Sequence, residues 1–374
     1  MPLFRSTPAL RLSTHLLRSI AIFIIAACAV NTWTYAQKPL KKRVQLLSST
    51  ASSPASGEPY ATRAEAMAFA DDLAERRGLD REWVRQAIGQ SNFIPSAQRL
   101  MRPATTTFVK NWRVYRSRFV EPVRIAAGAK FWRENADTLA RAEQEFGVPA
   151  EIIAGIIGVE SIYGRDMGNF RVIDALSTLA FDFPKTDKRD RTQFFKDELE
   201  QLLTLTNRTN IDPLSLRGSY AGAMGLGQFM PSSWTKYAVD YDGDSKIDMF
   251  NSSADAIGSV ANYFKAFNWQ RGMPTYYSVS LSGDTASKDT LLGPDILPSF
   301  TAQRFAELGA TLPEDGTKHT GPLALVELLN GNDGAPQYIV GTENFYAITR
   351  YNWSSYYAMA VIELGAAVKA AVKP

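Results

Sequence analysis

The stretch Pro149–Gly168, PAEIIAGIIGVESIYGRDMG, decides the interpretation of the whole chain. Its isoleucines, at positions 152, 153, 156 and 157, recur at the spacing of an apolar helix face. Pro149 suits the first helical turn and Gly164 the exit. Glu160 lies four residues after Ile156, so its side chain projects from the apolar face, near the negative end of the helix dipole.

A carboxyl group in that position is unfavourable unless it is paired, protonated or used in chemistry. Burial and the helix dipole both favour the neutral acid, which is the state of a general acid near neutral pH. The alternative is a buried structural glutamate that pairs with Arg165 or Arg171. The helix alone leaves these two interpretations evenly balanced.

The composition describes an ordinary folded protein whose mature form is close to neutral. The chain has 374 residues, of which 45% are hydrophobic and 21% charged, and its formal net charge is +3. Three arginines and no acidic residue lie in the first 36 positions, so removal of that segment leaves a charge of 3 − 3 = 0. A nucleic-acid partner therefore has no electrostatic support.

Residues 1–36 have the pattern of an export signal, with a basic start and the short apolar run Ile20–Val30. Small residues before Gln37 fit cleavage there, which would release a soluble periplasmic protein. Ile25–Cys28 instead resembles a lipobox, which would make Cys28 a lipidated N-terminus anchored to the outer membrane. We favour the soluble form. Since Cys28 is the only cysteine, the mature chain has no disulfide.

The next segments predict a linker and a helical N-terminal part. Residues 37–58, rich in Ser, Ala, Lys and Pro, predict a disordered linker, and residues 59–145 a helical part. Thr62 and Glu65 form a capping-box pattern before a helix over Ala66–Arg77. After that helix, Gly78 suits its end and Asp80 is placed to cap the next one.

The segment Lys110–Phe119, KNWRVYRSRF, is basic and aromatic. We interpret it as an element with solvated arginines. The alternative is a groove wall, since Trp and Tyr rings stack on sugars and Arg holds carboxylates. After it, Ala126–Phe146 predicts one long helix, which Gly147 ends just before the helix of Glu160.

Leu216–Trp234, LRGSYAGAMGLGQFMPSSW, holds four glycines within ten residues but lacks the Gly-Lys-Ser/Thr ending of a phosphate loop. Glycines let a backbone approach a neighbouring helix or an elongated ligand closely. Ser219, Tyr220 and Gln228 add neutral hydrogen-bonding groups that suit sugar hydroxyls or acetamides. Tight packing and ligand binding are compatible interpretations of this segment.

Residues 240–251, DYDGDSKIDMFN, follow the pattern of an EF-hand loop. Carboxylates stand at positions 1, 3, 5 and 9, and position 7 offers a main-chain carbonyl. Ser245 replaces the glycine of position 6, which strains the turn, and Asn251 replaces the bidentate glutamate of position 12. The pattern predicts a structural cation, Ca²⁺ or Na⁺, between helices at 232–238 and 254–267, with an unmetallated acidic turn as the alternative. The predicted ligands are Asp240, Asp242, Asp244, Lys246, Asp248 and Asn251.

Residues 273–350 predict a small β-containing subdomain, and Ser354–Val372 predicts a closing helix within residues 351–374. The predicted elements of the subdomain are a strand at Tyr276–Leu281, a helix at Phe300–Leu308 and extended segments at Leu323–Leu328, Gln337–Val340 and Glu343–Thr349. The fold class predicted for the whole chain is mainly α with a small β subdomain (α+β).

The chemistry left to the mature chain is that of carboxylates. The chain has one histidine in this part, His319, and no cysteine after Cys28, which argues against His-dependent triads, Cys proteases and His-rich zinc sites. No dinucleotide-binding fingerprint stands out, and we expect no cofactor for catalysis. A glutamate that acts as an acid points to glycosidic bonds.

Several motifs in order resemble the lytic murein transglycosylases of the B family. They are GVESIYGR, AGAMGLGQFMPSSW, the Asp-rich loop, DAIGSVANYF and NFYAITRYN. The resemblance implies a lysozyme-like catalytic core at residues 146–272 with an additional helical part and a small β part. It also implies cleavage of the MurNAc–GlcNAc bond in peptidoglycan strands that carry peptide stems. We expect the protein to act as a monomer.

The same resemblance implies roles for individual residues. Glu160 matches the family's single catalytic residue, which acts first as an acid and then as a base towards the C6 hydroxyl of the same MurNAc. A 1,6-anhydro ring then closes without water. Arg191 fits an arginine that grips the peptide. The positions that match the family's sugar groove are Ser219, Gln228, Tyr263 and Tyr346.

Two alternatives remain open at this stage. The first is a hydrolytic muramidase on the same fold, in which a carboxylate such as Asp166 or Asp182 directs water. The second is a non-catalytic peptidoglycan-binding protein that keeps the groove, although binding alone does not account for a carboxylate on the apolar stripe.

Overall fold

The structure is a computed structural model that describes residues 57–102, 109–185 and 190–372. The predicted export segment 1–36, Cys28 with it, and the linker up to residue 56 lie outside the described residues. The end of the predicted linker is part of the fold, because the Gly57 amide donates to the Phe93 carbonyl at 2.7 Å.

Helices make up most of the described chain. The elements before the Gly-rich segment are a 3₁₀ turn at Tyr60–Thr62, α1 (Ala64–Arg77), α2 (Arg81–Gly89), α3 (Pro95–Leu100), α4 (Trp112–Arg116), α5 (Pro122–Glu134), α6 (Ala136–Phe146), α7 (Ala150–Ser161), α8 (Val172–Phe181) and α9 (Thr192–Thr209). Those after it are α10 (Pro231–Tyr237), α11 (Ser253–Ala266), α12 (Thr285–Leu292), α13 (Ala302–Glu307), α14 (Glu314–Thr317), α15 (Glu343–Tyr351) and α16 (Ser355–Val372).

The ends of α1 follow partly from the sequence. Gly78 ends the helix with a φ of 64°, and the Asp80 carboxylate accepts a hydrogen bond from the Trp83 amide at the start of α2, both as predicted. The predicted capping box is wrong, because α1 begins after Arg63, whose side chain makes no capping hydrogen bond.

The long helix predicted over Ala126–Phe146 is also wrong. The chain leaves helical geometry at Asn135, where φ is −124°, and this residue separates α5 from α6. Asn135 turns its side-chain amide to the Phe131 carbonyl at 2.8 Å, so the break is satisfied locally. Asn commonly competes with the helix in this way.

The described strands are short and antiparallel. β1 (Phe170–Arg171) pairs with β2 (Arg217–Gly218); β3 (Tyr276–Ser278), β7 (Gly334–Gly341) and β6 (Ala324–Asn330) form a sheet in that order; and β4 (Ser280–Leu281) pairs with β5 (Ala310–Thr311). The predicted strand Tyr276–Leu281 is therefore two strands with different partners. The prediction that Glu343–Thr349 is extended is wrong: the segment forms α15, capped by Thr342, whose Oγ1 accepts from the Asn344 amide at 3.1 Å.

The core is built around α7 and α16. The four isoleucines of α7 are at most 4% exposed, as the apolar stripe predicts. The backbones of the two helices touch, since a Cβ on Gly155 would lie 2.3 Å from the Val361 carbonyl oxygen and one on Gly365 would lie 2.0 Å from that of Glu151. Among the described helices, α16 is the one long and apolar enough to cross a membrane, but it is packed inside the fold, as core helices often are.

Candidate active site

Glu160 stands on the last turn of α7, where the chain makes an unusual exit. The helix ends at Ser161, and Ile162 and Tyr163 both adopt left-handed geometry, with φ of 51° and 56°, before Gly164 at 87°. The exit therefore lies two residues before the predicted Gly164. Positive φ is unfavourable for a β-branched residue, and such strain is typical of functional sites.

Two contacts hold this exit in place. The Ser161 hydroxyl donates to the Leu226 carbonyl at 2.7 Å and accepts from the Gly164 amide at 3.0 Å. The Tyr163 ring lies against Gly128 and Gly158, where any Cβ would come within 2.4 Å of its hydroxyl oxygen. The last turn of α7 is thus fixed from both sides, which fixes Glu160.

The carboxyl group of Glu160 makes one short hydrogen bond. Tyr357 on α16 donates its hydroxyl to Glu160 Oε1 at 2.5 Å. The residue keeps partial exposure, yet burial of the carboxyl raises its pKa from an ordinary value of 4.5 to about 7, against the opposing effects of Tyr357 and the Arg124 guanidinium. Near neutral pH the protonated and ionised forms of the carboxyl therefore have similar free energies, which suits proton transfer in both directions.

Neither arginine considered as a structural partner holds Glu160. Arg171 pairs with Asp174 at 2.7 Å, and Arg165 is exposed. The cation that lies near the carboxyl is Arg124 of α5, which donates from Nη1 to the Gly158 carbonyl at 2.5 Å. It covers the carbonyl end of α7 and favours the ionised form of Glu160 through space. The two arginine pairings predicted for a structural Glu160 are therefore wrong.

The Gly-rich segment lies beside the end of α7. The β1–β2 pair brings Gly218 onto Gly168, where a Cβ on Gly168 would lie 2.2 Å from the Gly218 carbonyl oxygen. The Ser219 hydroxyl accepts from the Ala223 amide at 3.0 Å, which closes a tight turn. Tyr220 places its ring edge-on to Phe170, at 6.4 Å between centroids.

Gln228 is held in an uncommon conformation next to this turn. Its φ is 50°, and its side-chain amide donates to the carbonyls of Gly225 at 2.9 Å and Met167 at 3.2 Å. Its carboxamide therefore ties the Gly-rich segment to the chain that follows α7. Ser219, Tyr220 and Gln228 remain partly exposed on this wall, so their role in binding sugar stays a prediction.

The other predicted binding residues have different surroundings. Tyr263 is 5% exposed and its hydroxyl donates to the Arg350 carbonyl at 2.6 Å, so it forms part of a buried aromatic cluster. Tyr346 is half-buried and lies edge-on to Trp353 at 5.8 Å. Arg191 lies over the Phe194 ring at 4.4 Å, and positions 186–189 of its loop are outside the described residues. Their substrate contacts stay predictions.

Sequence reasoning missed the two tyrosines that complete the site. Tyr351 donates to the Gly227 carbonyl at 2.5 Å and stacks on Tyr357, at 6.5 Å with an interplanar angle of 14°. Tyr351 thereby joins the Gly-rich segment to the residue that holds Glu160. The helix predicted only to close the fold supplies Tyr357.

The acidic loop has the oxygen cluster that a cation needs. Carboxylate oxygens of Asp240, Asp242 and Asp244 lie within 4.8 Å of one another. Ser245 at position 6 has a φ of 69°, which agrees with the strained turn predicted for it. The Asn251 amide donates from Nδ2 to Asp248 Oδ2 at 2.9 Å, so position 12 is tied to position 9.

A buried carboxylate on α11, that of Asp255, holds this loop in place. Asp255 is 1% exposed and accepts from the amides of Tyr241 and Asp248, each at 2.7 Å. It lies beyond the twelve positions of the loop pattern, on α11, and that is why the pattern did not identify it. It fixes both ends of the loop before any cation is considered.

The two carboxylates considered for a hydrolytic mechanism have different surroundings. Asp182 pairs with Arg63 at 3.2 Å and accepts from the Tyr60 hydroxyl at 2.6 Å. Asp166 is exposed and accepts only a long bond from the Gly168 amide, at 3.4 Å, within the described residues.

Comparison with known proteins agrees with this geometry. The family model Transglycosylase SLT domain matches residues 61–366. Membrane-bound lytic murein transglycosylase B of Escherichia coli (strain K12) is 41% identical over 320 residues, which are 83% of this chain and 84% of that protein.

Solved structures give the same result. The Escherichia coli lytic transglycosylase Slt35 in complex with calcium is 39% identical, with a TM-score of 0.72 over 85% of this chain and 96% of its own. SltB3 from Pseudomonas aeruginosa in complex with NAG-NAM-pentapeptide is 28% identical, with a TM-score of 0.68 over 82% of this chain and 80% of its own. The α+β class with a lysozyme-like core is confirmed. This chain therefore belongs to the lytic murein transglycosylases that share the Transglycosylase SLT domain.

Proposed function

We propose that the protein cleaves the β-1,4 bond between MurNAc and GlcNAc in peptidoglycan and leaves 1,6-anhydroMurNAc ends, with Glu160 as the single acid and base. The observation that carries the proposal is the Glu160 carboxyl, held by the Tyr357 hydroxyl at 2.5 Å with a pKa of about 7. A group at that pKa gives and takes a proton with little free-energy difference at neutral pH.

In the first step Glu160 is the acid. Its proton goes to the glycosidic oxygen as the bond from that oxygen to C1 of MurNAc breaks, and positive charge develops on the sugar ring. The carboxylate that remains is stabilised by the hydrogen bond from Tyr357 and by the nearby Arg124 guanidinium.

In the second step Glu160 is the base. The C6 hydroxyl oxygen of the same MurNAc bonds to C1, and its proton returns to the Glu160 carboxylate, which restores the starting enzyme. No water is consumed. Because the nucleophile belongs to the substrate, no second protein carboxylate is required, in keeping with the occupied Asp182 and the exposed Asp166.

A cation would have a structural role in the acidic loop. The clustered carboxylates Asp240, Asp242 and Asp244 fit a hard cation such as Ca²⁺ or Na⁺, and Lys246, Asp248 and Asn251 stand at the remaining ligand positions. The calcium complex of the Escherichia coli relative supports this proposal. A bound ion would offset part of the negative charge of the loop between α10 and α11, and catalysis does not pass through it.

The substrate and compartment follow from the same proposal. The SltB3 complex with NAG-NAM-pentapeptide supports glycan strands with peptide stems as the substrate, with Arg191 near the peptide. The membrane-bound relative supports an exported, periplasmic enzyme, anchored through Cys28 if the lipobox is used. We propose that it acts as a monomer.

Digestion of purified sacculi tests the function. Mass spectrometry of the soluble products should find 1,6-anhydro ends, and Glu160→Gln should release less than about 1% of the product of the native enzyme. Reducing MurNAc ends would replace the proposal with a hydrolytic muramidase. Sacculus binding without soluble product would replace it with a binding role.

A further inference from the structure

A second concave site opens between α4, the turn at 294–297 and the start of α16. It has a volume of about 490 Å³. Its walls are lined by Lys110, Asn111, Val114, Tyr115, Arg118, Asp295, Ile296, Trp353, Ser354, Ser355 and Tyr356. We call this the α4 cavity. Five residues of the basic aromatic segment, at 110, 111, 114, 115 and 118, line it, while Arg113 and Arg116 are exposed, as the interpretation of solvated arginines predicts.

The α4 cavity carries three charges that are not used by the fold. Lys110 and Arg118 stand on one wall and Asp295 on the other. Within residues 57–102, 109–185 and 190–372, their side chains make no hydrogen bond or ion pair. Two cations and one anion in a concave site, all without partners of their own there, suit a ligand that carries both signs of charge.

Three aromatic side chains of the lining make ring contacts on the side of the active site. Tyr115 lies edge-on to Tyr356 at 5.7 Å, and Tyr356 precedes Tyr357, which holds Glu160. On the other side Trp353 meets Tyr346 at 5.8 Å. Buried aromatic contacts therefore connect the lining of the α4 cavity with the residue that holds Glu160.

The far wall is a turn that carries Asp295. Asp295 adopts left-handed geometry with a φ of 56° and is exposed, while its neighbour Ile296 is 3% exposed and anchors the turn. This turn places Asp295 among the residues that line the α4 cavity. The fold thus keeps the negative charge opposite the two cations.

We propose that the α4 cavity binds the peptide stem of the glycan strand, with Lys110 and Arg118 on a stem carboxylate and Asp295 on a stem ammonium group. The proposal rests on the proposed function, because it needs a glycan strand at Glu160. A bare glycan is the weaker fit, because neutral sugar hydroxyls form weaker hydrogen bonds with the two cations than a carboxylate does. Trp353 and Tyr115 contact the apolar parts of the stem.

The test distinguishes binding of the peptide stem from binding of the glycan, in a variant without catalytic activity. In Glu160→Gln protein, calorimetric titration compares tetrasaccharides of alternating NAG and NAM with and without pentapeptide stems. Adding Lys110→Met and Arg118→Gln should weaken binding of the stem-bearing ligand about tenfold, which is about 1.4 kcal/mol, relative to the stem-free ligand. Raising the salt concentration should shrink that difference.

A matched control removes the same charge elsewhere. Arg113 on α4 and Arg133 on α5 are exposed and outside the α4 cavity, so Arg113→Gln with Arg133→Gln should leave the preference for stem-bearing ligand within about twofold. Lys110→Arg with Arg118→Lys keeps both charges and should retain most of it. Thermal unfolding of each variant checks that it folds.

Each outcome is decisive. An equal loss of affinity for both ligands would mean that the α4 cavity binds sugar, and no loss for either would mean that it binds nothing on the strand; both overturn the proposal. The titration measures binding and needs no turnover. If the native enzyme yielded reducing ends, the proposed function would fail, and the titration would still test the peptide site.

Discussion

Replacing Glu160 by glutamine should stabilise the protein, and the gain should depend on pH. The carboxyl has a pKa of about 7 in the fold and an ordinary value of 4.5 in the unfolded chain. The fold therefore binds the proton more tightly than the unfolded chain does. Stability from this group is complete below pH 4.5 and is lost as the pH rises to about 7.

The size of the effect follows from the two pKa values. Each pH unit that separates them corresponds to about 1.36 kcal/mol, so ionised Glu160 destabilises the fold by up to about 3 kcal/mol above pH 7, and by less to the extent that its partial exposure lets water in. Glutamine has nearly the same shape but does not ionise, so it causes no such destabilisation. The Glu160→Gln protein should thus gain up to about 3 kcal/mol over native protein between pH 4.5 and pH 8.

Urea unfolding of both proteins at pH 4.5, 6 and 8 measures this. Other titrating groups are common to the two proteins, so the difference between their free energies of unfolding isolates position 160. A difference that stays constant across this range would refute the raised pKa, and with it the claim that Glu160 is poised to give and take a proton. If the difference in free energy of unfolding grew as the pH fell, the fold would lower the pKa of Glu160 instead of raising it.

Three further predictions concern the site and its frame. Tyr357→Phe removes a hydrogen bond that lowers the pKa of Glu160, so the alkaline limb of the pH–rate profile should move upward and kcat should fall about tenfold or more. Asn251→Asp sets a second carboxylate beside that of Asp248. Without calcium the thermal midpoint of the variant should be lower than that of native protein, and addition of calcium should raise it by more. Gly155→Ala forces α7 away from α16 and should reduce the free energy of unfolding by about 1–3 kcal/mol.

Matched variants control each of these. Tyr356→Phe loses a hydroxyl that donates to the Leu329 carbonyl, and an equal pH shift in it would show that the Tyr357 result is not specific. Asp244→Asn should abolish the calcium effect; a midpoint that still rises would place the ion elsewhere. Gly293→Ala meets its nearest neighbour at 3.4 Å and should be neutral, so an equal loss there would count against close helix contact.

The sequence was enough to place Glu160 because the evidence for it is local. The apolar stripe of α7 and the position of one carboxyl upon it are properties of a dozen consecutive residues. The partner could not be found in this way. Tyr357 lies 197 positions along the chain, and only the packing of α16 on α7, through glycine contacts that leave no periodic signal, brings its hydroxyl to Glu160.

The wrong secondary-structure predictions have similar causes. Residues 343–349 are rich in aromatic and β-branched side chains, which favour strands, yet the segment is a helix because Thr342 caps it and Asn344 fixes it to the Gln270 carbonyl at 2.8 Å. At Asn135 a helical pattern continues through a break that the Asn side chain satisfies locally, on the Phe131 carbonyl. In the first of these segments a contact that is distant in sequence overrules local propensity, and in the second a local side-chain bond does so.

Digestion of sacculi in water enriched in ¹⁸O tests the central claim most directly, because ring closure by the C6 hydroxyl uses no solvent oxygen. Mass spectra of the released muropeptides should show 1,6-anhydro ends with no ¹⁸O at C1. Products heavier by one labelled water, with ¹⁸O on a reducing MurNAc, would contradict the dual role of Glu160.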